Sequence, residues 1–404
     1  MNWCYMKDKV LVVSFQSLTA TGGAGMAGLG YAIAQRLQQK GRLKYFIISS
    51  KGKFDTPFPS FPVSIFSRYY LFLINSFTSI FGIPVYKSRF AQEEIYDFFC
   101  QFHLDSSIST LVTTTPYLYR TFKKAKRLGI EIVIIPGNPE ENFIHQLITE
   151  ENEKYGIVND DPYTYQPRLN HYNKALPLAD HIIAYSKLIE KTYLKKVNCE
   201  IVSCVPGLLK PEFPKSPLSI TRTKFKVAFL AHTVLLKGLQ YLMEAWSGLQ
   251  NYPIELHIGG VIDKNVADII SAEYSHLAKV YFHNQVTDKA AFFSDKSLFV
   301  SPSIIDGWPL TVAEAMYYSV PVIVSDGCGI KDMVEEGKSG WIVPNRDAKA
   351  IGERILEAFE HQERTAEMGR YAHQVLVAYD KEPFIRDIAS LVIGEGCKQM
   401  VNER

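Results

Sequence analysis

Between Ser301 and Ser325 the chain reads SPSIIDGWPLTVAEAMYYSVPVIVS, with two carboxylates, Asp306 and Glu314, around a helix start. The stretch predicts a strand ending near Ser301, a turn at Asp306-Gly307, a helix opening at Pro309 and an apolar strand from Pro321 to Ser325. Proline suits the first helical position because its missing N–H would be unpaired there in any case. The next amides, at Leu310, Thr311 and Val312, lack partners within the helix, and the helix dipole adds to their pull on an anion. Asp306 precedes the turn and Glu314 lies about one and a half turns into the helix, so one carboxylate flanks each side of a phosphate-sized pocket. A diphosphate between two hydroxyl-binding carboxylates is the outline of a nucleotide-sugar. An isolated Asp and Glu at this spacing would be a turn acid and a surface glutamate. The weight comes from the pieces SPS, GWPL, EAM and PVIVSD standing in order around them.

Three further loops hold polar residues at strand ends. After Leu230 comes AHTVLLKG, with His232 and Lys237 five residues apart; without its context Lys237 would be an ordinary helix-start lysine. After Ile135 comes PGNPEENFIHQ, in which Glu140 and His145 are both able to reach a ligand; a carboxylate there takes a hydroxyl proton or holds a sugar hydroxyl. After Phe15 the run TATGGAGMAGLG offers Gly22, Gly23 and Gly25, which let backbone approach a ligand closely. Its spacing is imperfect for a dinucleotide fingerprint. The second strand ends in Ser49-Ser50-Lys51 instead of a ribose-binding acid, which argues against a nicotinamide enzyme.

These loops need a scaffold that brings strand ends together. Strands are predicted at Val10–Phe15, Tyr45–Ser49, 110–114, 131–135, His181–Tyr185 and Glu200–Val205, with helices over 26–39, 118–128 and 141–155. Residues 206–224 carry four prolines and little periodicity, as a linker would. A second series follows: strands at Phe225–Leu230, Ile254–Ile258 (running into Gly259-Gly260), Val280–Phe282 and 297–300, and helices over 237–249, 264–277, 288–295, 347–360 and from about 363. Strands alternating with helices on both sides of a linker predict an α/β protein of two Rossmann-like domains facing each other across a cleft. The N-terminal domain would span 1–205 and the C-terminal one 225–378, with 379–404 a helical stretch packing back on the first. Ligands in such sheets sit beyond the carboxyl ends of the strands.

The signature segment resembles that of the retaining glycosyltransferases of family 4 (glycosyl transferases group 1), which have the GT-B fold. Their motif is Glu, seven residues, Glu, with Gly, an aromatic, Pro and Leu after the first acid. Gly307, Trp308, Pro309, Leu310 and Glu314 match it, and Asp306 stands where the family has Glu. The resemblance implies that Asp306 touches hydroxyls of the transferred sugar and Glu314 the ribose. It implies a diphosphate grip by Lys237 and by His232, the latter where the family has Arg. A partly protonated imidazole is a weaker clamp than guanidinium. Glu140 falls where the family presents a His near the reacting sugar, with His145 five residues on, and Gly22 and Gly23 lie near donor phosphates and acceptor. Thr311, at the helix start, helps stabilise the leaving diphosphate. No metal or other cofactor is implied; the nucleotide-sugar is a substrate, and the acceptor is a glycan or lipid-linked glycan. The resemblance covers about 225–345 well and the N-terminal half only by pattern. A non-catalytic relative that keeps the fold as a binding or scaffold subunit is the main rival. A GT-B epimerase or phosphorylase comes next.

Composition agrees with an ordinary globular chain: 404 residues, 47% hydrophobic and 21% charged, so disorder is excluded. None of the six cysteines forms a CxxC pair, as expected of free thiols in a reducing cytoplasm. The opening MNWCYMKDKVLVVSF is unlike a signal peptide, and no run is apolar enough to span a membrane. Residues 1–130 hold sixteen Lys and Arg against six Asp and Glu, which leaves 28 against 36 for the remaining 274. A basic first half suggests an anionic partner, with scattered solvated charges as the equal alternative. Without a nucleic-acid-reading motif, the cytoplasmic leaflet is the candidate, contacted peripherally through Lys123, Lys124, Lys126 and Arg127. Residues 68–89, RYYLFLINSFTSIFGIPVYKSR, are uncharged between basic ends. They predict a buried helix packed on a sheet, with an interfacial segment or apolar acceptor groove as the alternative.

Overall fold

The computed structural model describes residues 8–15, 25–50, 55–158, 161–194, 196–197, 199–203, 224–378 and 381–394. The glycine loop with Gly22 and Gly23, and nearly all of the 206–224 linker, lie outside the described residues. The chain divides into two compact units: Met1–His145 with Val158–Pro211 and Asp380–Arg404, and Gln146–Ile157 with Glu212–Tyr379.

The first unit is built on a seven-stranded sheet. Its strands are β1 (Lys9–Ser14), β2 (Leu43–Ile48), β3 (Ser60–Pro62), β4 (Ile108–Thr113), β5 (Glu131–Ile134), β6 (His181–Ala184) and β7 (Glu200–Ser203), in the order β3-β2-β1-β4-β5-β6-β7. Every pairing is parallel, for instance Val12 opposite Phe46 on one side and Val112 on the other. Parallel strands need crossovers, and helices on the sheet faces bury the strands on both sides. Val10, Leu11, Val12 and Val13 are accordingly all fully buried. The helix Lys381–Val392 packs on Gly25–Gln39 within this unit, and Thr110 Oγ1 donates to Val392 O at 3.4 Å.

The second unit has six parallel strands: β8 (Phe225–Leu230), β9 (Ile254–Gly259), β10 (Val280–Phe282), β11 (Leu298–Ser301), β12 (Val322–Ser325) and β13 (Gly340–Val343), ordered β10-β9-β8-β11-β12-β13. Its core joins Trp246, Leu239, Leu256 and Ile258 to Trp341, Ile351 and Ile355. In both sheets the order reverses at one strand pair, β1/β4 and β8/β11. Loops diverge to opposite faces at such a point and leave a crevice beyond the carboxyl ends.

Some expectations change. Pro309 is the N-cap, with extended backbone (φ −67°, ψ 105°), and the helix runs Leu310–Tyr317. Lys237 closes a short 3₁₀ turn, and the helix predicted from 237 begins at Leu239, because Gly238 adopts φ +72°. The expected buried helix over 68–89 is instead two helices separated at Gly82 and Pro84: Ser67–Phe81, exposed or half-buried beyond Ser67 among the described side chains, and Val85–Cys100, which buries Ser88, Glu93, Tyr96, Asp97 and Cys100. In the helix Tyr119–Arg127, Lys124 donates to Gln101 O at 2.9 Å and Lys126 pairs with Asp180, so two of the four proposed membrane-facing cations serve the fold.

Candidate functional site

Lys237 follows β8 and Asp306 follows β11, so the strand reversal places their loops side by side. Lys237 Nζ donates to Asp306 Oδ2, and the Trp308 amide donates to Oδ1 at 3.1 Å. The Asp306 backbone is fixed as well: its N–H donates to Gly327 O at 3.0 Å and its carbonyl accepts from Gly329 N at 2.8 Å. Glycine makes this closeness possible. A Cβ on Gly238 would lie 2.0 Å from Pro302 O, and one on Gly327 would lie 2.2 Å from Ile304 O. Burial pulls the Lys237 ammonium down, but Asp306 outweighs it and holds it above its ordinary pKa. Lys237 is therefore charged at neutral pH.

Glu314 sits on the helix Leu310–Tyr317, which is apolar on nearly every face and buried accordingly. Only 2% of the residue is exposed. One oxygen, Oε1, accepts from Lys289 Nζ, while the buried Oε2 has no partner among the described residues. Burial raises its pKa, and Lys289 pulls it back. A buried carboxylate oxygen without a donor is costly and is what a hydroxyl-bearing ligand would satisfy. Val312 N–H closes a turn on Pro309 O at 3.1 Å, which leaves Leu310 and Thr311 as the helix-start amides ahead of the first such bond. Gly307 is buried at the turn. The sequence pointed to Asp306, Lys237 and Glu314 but not to Lys289, which follows the N-cap Asp288 of the short helix Lys289–Phe293.

His232 is not in this cluster. Its side chain is exposed, and Nε2 lies 3.3 Å from Asp263 Oδ1. Gly259 ends β9, where a Cβ would meet Val286 at 2.8 Å and Leu230 at 2.9 Å. Gly260 (φ +105°) lets the next loop lie on Ala231.

In the first unit, the ends of β1, β4 and β5 surround a small cavity of about 100 Å³, lined by Phe15, Thr115, Gly137, Glu141, Tyr163 and Arg168 among others. Glu140, the expected ligand-facing acid, is fully buried and caps the helix Glu141–Tyr155: Oε2 accepts from Phe143 N at 3.1 Å and Oε1 from Asn142 Nδ2 at 2.6 Å. His145 Nδ1 lies 3.1 Å from Tyr163 O. The next residue, Glu141, faces the cavity in place of both. Arg168 joins it to Glu93, with Nη1 to Glu141 at 3.0 Å and Nε to Glu93 at 2.9 Å. Burial raises the Glu141 pKa against the pull of Arg168. Its guanidinium lies 4.0 Å over the Tyr117 ring.

Residues 212–375 match the family model described as Glycosyl transferases group 1. The sequence is 24% identical to WcaL of Escherichia coli, whose name assigns it to colanic acid biosynthesis, over 58% of this chain and 60% of that protein. Alignments to the first of the curated relatives cover 27 to 60% of their length. Among solved structures, WaaG, a glycosyltransferase involved in lipopolysaccharide biosynthesis, superposes with TM-score 0.65 at 14% identity, over 95% of this chain and 100% of that one. HepE of Anabaena in complex with UDP-glucose gives TM-score 0.61 at 13% identity, over 96% and 99%. The fold is that of the GT-B glycosyltransferases.

Proposed function

We propose that this protein is a glycosyltransferase that moves a sugar from a nucleoside-diphosphate donor to an acceptor hydroxyl, with anomeric retention. The observation that carries this reading is the second unit's polar cluster. An anchored Lys237–Asp306 pair and a buried glutamate with one open oxygen flank the helix start at Leu310–Thr311. Lys237 and the helix-start amides would hold the diphosphate, Glu314 Oε2 would accept from a ribose hydroxyl, and Asp306 would orient the sugar. As the bond from the anomeric carbon to the diphosphate breaks, negative charge grows on the leaving oxygen, where preorganised donors stabilise it most. The bond to the acceptor oxygen forms on the same face, and the acceptor hydroxyl's proton passes to the leaving diphosphate oxygen. The family match at 212–375 covers these residues, and the solved HepE complex with UDP-glucose supports a nucleotide-sugar donor. The acceptor we propose is a surface polysaccharide or lipid-linked glycan, as the name of WcaL suggests.

A thermal-shift panel of UDP-, GDP-, ADP- and CDP-sugars tests the donor site. A ligand at 100 times its Kd adds about 2.7 kcal/mol, which is several degrees for a domain of this size. One donor should shift the native protein and leave Lys237→Ala and Glu314→Ala unshifted. If no donor shifts the native protein, the non-catalytic reading takes over.

A further inference from the structure

The cavity of the first unit plays no part in the donor reading, yet it is a built polar site. Arg89, Glu141 and Arg168 line it, and Glu93 stands behind them. The acids are committed. Glu141 Oε1 accepts from the Tyr117 hydroxyl and Oε2 from Arg168 Nη1 at 3.0 Å. Glu93 Oε2 accepts from Arg168 Nε and Oε1 from Arg89 Nε, both at 2.9 Å. Every carboxylate oxygen of the cluster therefore has a donor.

Donors are left over. Arg89 spends Nε on Glu93, and its Nη1 and Nη2 have no partner among the described residues. The guanidinium lies 4.2 Å over the Phe15 ring, so the fork is held from two sides. Its side chain is 42% exposed against 6% for Arg168, so a ligand entering the cavity meets Arg89 first. The buried Thr115 hydroxyl accepts from Phe15 N at 3.1 Å, and its own proton has no acceptor among the described residues.

Spare N–H and O–H groups, with every acid oxygen already served, select a ligand made of acceptor atoms. The two free nitrogens of a fixed planar fork suit a carboxylate or a phosphate, which takes two such bonds at once. A neutral sugar hydroxyl would take one and find each carboxylate oxygen occupied. The space is about 100 Å³, roughly three waters at about 30 Å³ each, which admits one charged group and not a whole sugar. Two guanidiniums and two carboxylates cancel, but the chain around them does not: residues 1–130 hold sixteen Lys and Arg against six Asp and Glu. Such a field draws anions. The cavity also lies where β1 and β4 reverse the strand order, the usual place for a ligand in such a sheet.

We infer that the first unit's cavity binds an anionic group of the acceptor, a carboxylate or a phosphate, through the Arg89 fork with the Thr115 hydroxyl as a further donor. That the anion belongs to an acceptor rests on the transferase reading; the anion site itself does not.

Glucuronic acid, glucose 6-phosphate and neutral glucose are titrated into the full chain, without donor, and binding is followed by saturation-transfer NMR. At least one acid should bind at least about tenfold more tightly than glucose, and the tighter of the two names the group as carboxylate or phosphate. Arg89→Gln should bring that acid down to the level of glucose. Arg89→Lys keeps the charge without the fork and should recover only part of the difference. Lys237→Ala, in the other unit, should bind the acid as the native protein does. The inference is overturned if neither acid binds more tightly than glucose, or if Arg89→Gln or Arg89→Lys keeps the full native affinity. A loss in Lys237→Ala in place of Arg89→Gln would also overturn it, because the anion would then sit at the donor site. Should Arg89→Gln fail to fold, the native ranking and the lysine variant still decide. A donor panel without a shift leaves this ranking readable, so the two readings fail separately.

Discussion

Lys237 and Asp306 lie 69 residues apart in sequence, and their side chains meet because β8 and β11 are neighbours where the strand order reverses. Both carboxylate oxygens of Asp306 are engaged, one by the ammonium and one by the Trp308 amide. The acid is thus held in one orientation before any ligand arrives.

If Lys237 grips the donor diphosphate, Lys237→Ala should weaken donor binding by roughly 10- to 150-fold, since hydrogen bonds to charged groups contribute about 1.5–3 kcal/mol. Stability should change by no more than about 1 kcal/mol, because the Lys237 side chain is still 29% exposed and the pair is partly screened. Isothermal titration with the donor found by thermal shift, beside a melting curve, separates the two effects. Equal donor affinity in variant and native protein would remove Lys237 from the site.

Gly238→Ala should damage the same site without touching either charged partner. Gly238 and Gly337 share φ +72°, but a Cβ on Gly238 meets Pro302 O at 2.0 Å whereas one on Gly337 finds nothing nearer than 3.7 Å. Gly337→Ala should cost about 1–2 kcal/mol, the left-handed strain alone. Gly238→Ala should cost more and abolish the donor-induced thermal shift, because the Lys237 turn must back away from the 302–306 segment. Similar losses in the two variants would mean that the close approach is unimportant.

If Glu314 accepts from a donor hydroxyl, donor binding should depend on pH in a defined direction. Burial raises its pKa above the ordinary 4.5, and Lys289 limits the rise. A carboxyl whose folded pKa exceeds its unfolded one holds its proton more tightly when folded. Its contribution to stability is then largest at low pH and declines as pH climbs through the folded pKa. A ribose hydroxyl donating to Oε2 prefers the ionised form, so donor affinity should rise through that same pKa. Lys289→Met should move both inflections to higher pH, and Glu314→Gln should remove them. Donor titrations across about pH 5 to 8 check this, and an inflection unmoved by Lys289→Met would contradict it.

Much of the scaffold was legible because parallel strands are apolar on both faces and bounded by turn residues, as at Val322–Ser325 and Phe225–Leu230. Asp306, Lys237 and Glu314 were legible because each belongs to a run of neighbours with one reading. Partners fixed only by tertiary packing were not. Lys289 meets Glu314 across 25 residues, and Arg168 meets Glu93 across 75, with no local pattern to signal either contact. In NPEEN, either glutamate suits a helix start. Packing turns Glu140 onto the Phe143 amide and Glu141 into the cavity. Residues 68–89 misled because apolar content alone does not show where a helix breaks or which faces pack: Gly82 and Pro84 divide the run into two helices.

The buried Arg168 should prove the strongest single stabilising charge in the first unit. It is 5% exposed and serves Glu93 and Glu141, which are themselves 4% exposed. Burial acts to lower its pKa, but Tyr117, Glu93 and Glu141 outweigh it and hold it well above the ordinary range. Arg168→Met would strand the buried Glu141 without a cation and leave Glu93 to Arg89 alone, 2.9 Å away, and breaking such a pair costs about 3–5 kcal/mol. The first unit should then melt roughly 6–20 °C lower. Arg168→Lys should recover little, since one ammonium cannot reproduce the guanidinium fork across both acids. Adding Glu93→Gln and Glu141→Gln to Arg168→Met should restore much of the loss, because neutral amides need no counterion. Should the triple variant melt no higher than Arg168→Met, the loss would come from packing of the guanidinium on Tyr117, 4.0 Å away, and not from the stranded charges.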